Sequence, residues 1–126
     1  MLKRIKRGFT LVELMVVMAI IALLLSLAVP RYFNHLERSR ETILKEDLAV
    51  MRDAIDKYHG DRGRYPDSLD DLVSTRYLRA LPVDPITDRA DTWQIVAPPD
   101  GDAGAMYDIK SGAPGTAHDG SAYASW

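Results

Sequence analysis

From Phe9 to Val29 the chain reads FTLVELMVVMAIIALLLSLAV, 21 residues with one charge, Glu13. As a helix rising about 1.5 Å per residue, this stretch is roughly 31 Å long and matches a bilayer's hydrocarbon core. A domain this small cannot bury a helix that is apolar all round, so the run predicts a membrane-crossing segment. Pro30 follows; it lacks an N–H and clashes with the preceding turn, and is expected to interrupt and kink the helix. Beyond it, Leu44, Leu48, Met51, Ile55 and Tyr58 recur at helical spacing and predict a stripe facing a core. The charges around the stripe, from Glu37 to Lys57, read as a solvated face, with Glu41/Lys45 and Asp53/Lys57 as i,i+4 pairs. The helix is expected to stop near His59-Gly60, because glycine is common just past a C-terminus. After the turn-rich Asp61–Pro66, Asp67 is expected to cap a short helix through Val73, with Leu69, Leu72 and Val73 inward.

The last third carries strand patterning. Thr92–Val96 is β-prone, with Trp93 and Ile95 on one face, and Met106–Lys110 reads as a second strand. The turn cluster 98–104 between them predicts a hairpin with a broad loop. Residues 111–121 form another loop, and Tyr123–Trp126 is expected to add a short edge. A two-stranded hairpin is marginal alone, so it must pack on the helix stripe. The expected architecture is α+β, a ladle of one long N-terminal helix and a small antiparallel sheet.

Charge adds an orientation. The chain has 126 residues, 16 Lys and Arg against 18 Asp and Glu, for a net charge of −2, which recommends no nucleic-acid partner. Four of the basic residues lie in residues 1–8, which hold no acid; residues 9–126 carry −6. Basic residues before an apolar span and an acidic body after it place the N-terminus in the cytoplasm and the body outside. There is no cysteine, which excludes disulfides, Cys-ligated zinc and thiol chemistry. The apolar run exceeds the roughly 7–15 residues of a secretory signal's core, and residues 26–32 offer no clean small-x-small cleavage site. An uncleaved anchor fits better, with Gly8 standing between the basic leader and Phe9.

The run Arg7-Gly8-Phe9-Thr10-Leu11-Val12-Glu13-Leu14-Met15-Val16-Val17 resembles the processing signal of type IV pilins and type II secretion pseudopilins. The resemblance implies that a prepilin peptidase cuts between Gly8 and Phe9 on the cytoplasmic side and N-methylates Phe9. It also makes Glu13 the family's glutamate. The chain then divides into a leader (1–8), a transmembrane and filament-core helix (9–30) and a periplasmic globular domain (31–126). Glu13 has its own physical reading: a carboxylate near an apolar segment costs about 2.5–3.5 kcal/mol on insertion scales and is a functional residue by default, the alternative being that it lies at the membrane edge and snorkels. Its partner is expected to be the amine freed at Phe9, in the same subunit at i,i+4 or in a neighbour. At roughly 4 Å and an effective dielectric of about 20, that attraction is about 4 kcal/mol. A head-to-tail contact that does not close builds a helical filament.

Pro30 also resembles that family, and Tyr58, Gly63-Arg64-Tyr65-Pro66 and Tyr77-Leu78 leading to Leu81-Pro82-Val83-Asp84-Pro85 resemble the major pseudopilin of type II secretion more than a type IV pilin. The resemblance implies a pilin-like fold and a homopolymer working with minor pseudopilins, the prepilin peptidase, an inner-membrane assembly platform and inner-membrane lipid. It implies a fibre that helps folded proteins cross the outer membrane. It also implies calcium in the loop after the Tyr107-Asp108 strand. This chain departs there: Gly112-Ala113-Pro114-Gly115 lacks the first acidic ligand, leaving Asp119 and Ser121. Calcium takes six to eight oxygens, often several carboxylates. The expectation is therefore no cofactor, with calcium at Asp119 and Ser121 as the alternative and with Tyr123 and Trp126 packing to hold the loop.

His35, His59 and His118 are dispersed without metal-ligand spacing, and no Gly-x-Ser-x-Gly or phosphate-binding loop occurs, so no catalytic residues are assigned. Two other readings stay open: a type IV pilin of a surface fibre for adhesion, motility or DNA uptake, and a membrane-anchored binding module that never polymerises.

Overall fold

The computed structural model describes residues 8–99 and 101–126. Most of the basic leader, and Asp100 in the broad loop, lie outside them. The elements are helix α1 (Leu11–Arg62), helix α2 (Leu69–Ser74), strands β1 (Gln94–Val96) and β2 (Asp108–Lys110), and a closing 3-10 turn (Tyr123–Ser125). The fold is α+β and pilin-like. The chain divides into two compact units, one ending at Leu36 and the other Glu37–Trp126.

In the first unit α1 carries Leu, Ala, Val, Ile and Met on every face, and all of these side chains are exposed from Leu11 to Val29. Among the described residues none covers them, and the helix is long and apolar enough to cross a membrane. Contrary to expectation, Pro30 does not interrupt α1, whose helical assignment runs through it. Proline removes one N–H, and the bonds on either side keep the helix continuous.

In the second unit α1 supplies Leu44, Leu48, Met51, Ala54, Ile55 and Tyr58 to the core. Against them pack Leu69, Leu72, Leu78, Trp93, Met106, Ile109, Ala113, Ala117 and Tyr123. The helix continues past Gly60 to Arg62, two residues beyond the expected stop. Gly63, at φ 70°, takes the left-handed position instead, and its N–H donates to the His59 carbonyl at 2.8 Å. Ser68, not Asp67, caps α2: its Oγ accepts from the Asp71 N–H at 3.3 Å. Asp67 pairs with Arg64 at 3.0 Å. Leu69 and Leu72 are buried as expected, while Val73 is half-buried.

The strands are antiparallel, with Gln94 opposite Lys110, Ile95 opposite Ile109 and Val96 opposite Asp108. Both are shorter than their patterning predicts. Thr92 and Trp93 bond elsewhere, Thr92 Oγ1 to Thr87 Oγ1 at 2.8 Å and the Trp93 indole N–H to the Pro82 carbonyl at 2.9 Å. Trp93 is buried, but Ile95 is 48% exposed, although its cross-strand partner Ile109 is buried. Met106 is held by the Pro66 carbonyl at 2.9 Å. Tyr65 also donates to Ala103 at 2.9 Å, and Gly104 passes so close to the Tyr65 backbone, at φ 106°, that a Cβ would collide with it. These bonds seat the broad loop on the Tyr65-Pro66 corner. Tyr123–Trp126 is not a strand edge but a 3-10 turn, closed by Ser125 N–H on Ala122 and Trp126 N–H on Tyr123.

Candidate processing and assembly site

Helix α1 starts at Leu11, and its first turn closes a reciprocal cap. Thr10 Oγ1 accepts from the Glu13 N–H at 3.1 Å, and Glu13 Oε2 accepts from the Thr10 N–H at 3.3 Å. This is a capping box: the first turn has N–H groups without helical partners, and the two side chains satisfy a pair of them. In an apolar medium no water would do so. Sequence reasoning gave Glu13 the Phe9 amine and missed Thr10, although Thr-x-x-Glu before an apolar run is a capping-box signature. Phe9 lies outside the helix and is 87% exposed; the amine expected to meet Glu13 arises only on cleavage, and the uncleaved chain holds a peptide amide at that position. Gly8 is exposed as well, and a Cβ there would meet nothing within 4 Å. The arrangement is an accessible Gly8-Phe9 bond two residues ahead of a capped apolar helix.

The charged face of α1 is less bland than its spacing implied. Asp53 and Lys57 pair at 2.8 Å on the surface, where such a contact contributes little. Glu41 and Lys45 do not pair. Glu41 Oε1 accepts from the His118 N–H at 2.7 Å and the Tyr123 hydroxyl at 3.0 Å. Lys45 Nζ stands 4.7 Å from the centre of the Trp126 ring. Burial and the Glu41 carboxylate push the Tyr123 hydroxyl up to about 12. Arg52 bridges Asp108 Oδ1 at 2.8 Å and the backbone carbonyls of Ile109 and Trp126 at 2.9 and 2.6 Å. Local spacing names none of these partners.

At Asp119, Oδ1 accepts from the Ser121 N–H at 2.9 Å and the Ser121 hydroxyl at 2.6 Å, while Ser121 Oγ accepts from the Trp126 indole at 2.7 Å. The Ser121 bonds and, further off, Lys45 hold Asp119 below the usual carboxylate range. Tyr123 and Trp126 meet edge to face at 5.2 Å, the packing expected of them. Among the described residues, no group of three or more His, Cys, Asp or Glu side chains is placed to hold a metal ion.

A buried carboxylate explains the Leu81–Pro85 signature. Asp84 is fully buried; Oδ1 accepts from the Ile86 N–H at 2.8 Å, and Oδ2 from the Ser111 hydroxyl at 2.7 Å. It ties the 82–92 loop to the residue after β2. Burial and the nearby Asp84 and Glu46 charges raise the pKa of half-buried Asp47.

The prokaryotic N-terminal methylation motif matches residues 3–29. The chain is 33% identical over 125 aligned positions to the type II secretion system core protein G of Escherichia coli K12, covering 86% of this chain and 82% of that one. It is 30% identical over 136 positions to the core protein G of Klebsiella michiganensis, covering 94% of each. The fimbrial protein EcpC of Eikenella corrodens is 38% identical over only 66 positions, 52% of this chain and 43% of its own length. No solved structure matched the chain. The motif and the apolar helix make this a membrane-anchored protein. Kinship running through the helix and the body alike makes it a member of the type II secretion system core protein G family, the pseudopilins.

Proposed function

We propose that this chain is the major structural subunit of a type II secretion pseudopilus and has no catalytic activity of its own. It is inserted in the inner membrane with its N-terminus cytoplasmic and its body periplasmic, in keeping with the basic leader and acidic body. A prepilin peptidase cleaves between Gly8 and Phe9 and N-methylates Phe9. The subunit then joins a periplasmic homopolymer, working with minor pseudopilins and an inner-membrane assembly platform. The observation that carries this reading is the exposed Gly8-Phe9 bond before a Glu13-capped apolar helix, on a chain akin to core protein G over nearly its whole length.

Cleavage leaves the Thr10–Glu13 cap intact and adds a cationic amine next to it. In a monomer the carboxylate is held by its own helix. In a fibre the amine of one subunit meets the Glu13 of a neighbour, and the contact sets the axial register more than it adds stability. Pro30, which lacks an N–H, leaves α1 a point at which it can bend. Assembly draws its energy from an ATP-driven partner. The fimbrial reading is weaker, because the fimbrial likeness covers only about half the chain.

The test is intact mass and fragmentation of membrane-extracted protein. A chain starting at methylated Phe9 is expected. A chain starting at Met1, in cells with active prepilin peptidase, would overturn the proposal. With processing intact, Glu13→Ala is expected to abolish fibre assembly.

A further inference from the structure

Arg38, Lys45 and Arg52 stand seven residues apart on α1, and so on one side of it. Each meets the closing segment of the chain: Arg38 Nη2 lies 2.9 Å from His118 Nε2, Lys45 over the Trp126 ring, and Arg52 Nη2 2.6 Å from the Trp126 carbonyl. Because a guanidinium only donates, His118 accepts through Nε2. Glu41, between Arg38 and Lys45, receives the His118 N–H and the Tyr123 hydroxyl.

A calcium ion needs oxygen lone pairs turned toward one point and a surplus of negative charge. The closing loop offers the reverse. Two of the oxygens that would be its ligands already face hydrogen-bond donors: Asp119 Oδ1 takes two, and Ser121 Oγ takes the Trp126 indole while donating to Asp119. The charges that α1 sets against the loop are the cations Arg38, Arg40, Lys45 and Arg52 and the carboxylates Glu37 and Glu41, a positive balance, and Glu41 is engaged twice. The donor set does not fit calcium.

We infer that residues 114–126 are closed onto α1 by a metal-independent clasp, in which the Arg38–Lys45–Arg52 stripe and Glu41 do the work that a bound divalent cation would do. Gly115 and Gly120, at φ 94° and 86°, turn the chain. The Ala117 N–H on Ser121 at 2.7 Å and the Tyr123 N–H on Gly115 at 3.3 Å close the loop on itself. The clasp binds that closed loop to the helix. It stands on the folded body alone, whether or not the chain forms a fibre.

The experiment uses the full chain in detergent, with calcium alone as the probe. Thermal unfolding is followed in excess chelator and in millimolar calcium, beside calorimetric titration with calcium chloride. The expected Tm difference is under about 1 °C, with no saturable heat; a site loaded a hundredfold above its Kd would raise Tm by more than about 10 °C. Tyr123→Phe, which keeps the core and removes one hydroxyl, and Lys45→Gln should each lower Tm equally in chelator and in calcium, and speed proteolysis within residues 114–122. Saturable calcium binding with a matching rise in Tm would overturn the inference, as would variants that melt like the parent.

Discussion

Replacing Asp84 tests how the body is held together. Its carboxylate is fully buried and bonded to the Ile86 N–H, more weakly to Thr87 N–H at 3.4 Å, and to the equally buried Ser111 hydroxyl. Hydrogen bonds to a charged group contribute about 1.5–3 kcal/mol each, and a buried donor left unmet costs about 1–3 kcal/mol. Burying the charge costs part of that back. Ile86 is half-buried, so water can reach its N–H once the carboxylate is gone. The expected loss for Asp84→Ala is then about 3–4 kcal/mol, from a unit of this size with about 5–13 kcal/mol in all. Asp84→Asn should cost less, about 1–2 kcal/mol, because Oδ1 survives and the new amide can donate to Ser111 Oγ. Ser111 already accepts from the Ala113 N–H at 3.1 Å and has a second lone pair to offer. Ser111→Ala removes the other partner, and the double variant with Asp84→Ala should fall short of additivity by about 1–2 kcal/mol. Urea unfolding by tryptophan fluorescence reads these values, since Trp93 bonds to Pro82 in the same loop. Strict additivity, or a loss under about 0.5 kcal/mol for Asp84→Ala, would refute the reasoning.

Asp47 and Tyr123 make the body's stability depend on pH. Asp47 has a raised pKa from burial and from the Asp84 and Glu46 charges, so its ionised form destabilises the fold. Its favourable contribution is complete below the unfolded carboxylate pKa and is lost as pH rises through the folded one, so Asp47→Asn should raise Tm by a few degrees at pH 7 and show no gain in acid. Tyr123 is pushed up to about 12, so its contribution is complete below about pH 10 and is lost toward pH 12. That loss is worth about 3 kcal/mol. Tyr123→Phe should flatten this alkaline limb; a limb unchanged in the variant would assign it to other groups.

Patterning sufficed where the governing interaction is local or set by the solvent. The apolar run from Phe9 to Val29 can satisfy its backbone in lipid only as a helix, and the Leu44–Tyr58 stripe has one face to bury whatever it packs against. Both are visible in one dimension, as is the Gly8, Phe9, Thr10, Glu13 order. Some misreadings are local, such as the helix stop at Gly63 and the Ser68 cap, but those with the largest consequence involve partners far apart in the chain. Glu41 and Lys45 have the spacing of an ion pair worth a few tenths of a kcal/mol, and they gave it up for contacts about 80 residues away. Each strand starts two residues later than its patterning predicts; at β2 this is because the Met106 N–H bonds the distant Pro66 carbonyl instead of the ladder.

The sequence alone therefore determined the membrane helix, the core stripe and the processing motif, which depend on periodicity, charge asymmetry and residue order. Only the tertiary structure decided that Asp84 is a buried anchor and that Arg38, Lys45 and Arg52 converge on the closing loop. Each buried or low-dielectric polar group must find a partner, and the folded backbone chooses which one is near enough to bond.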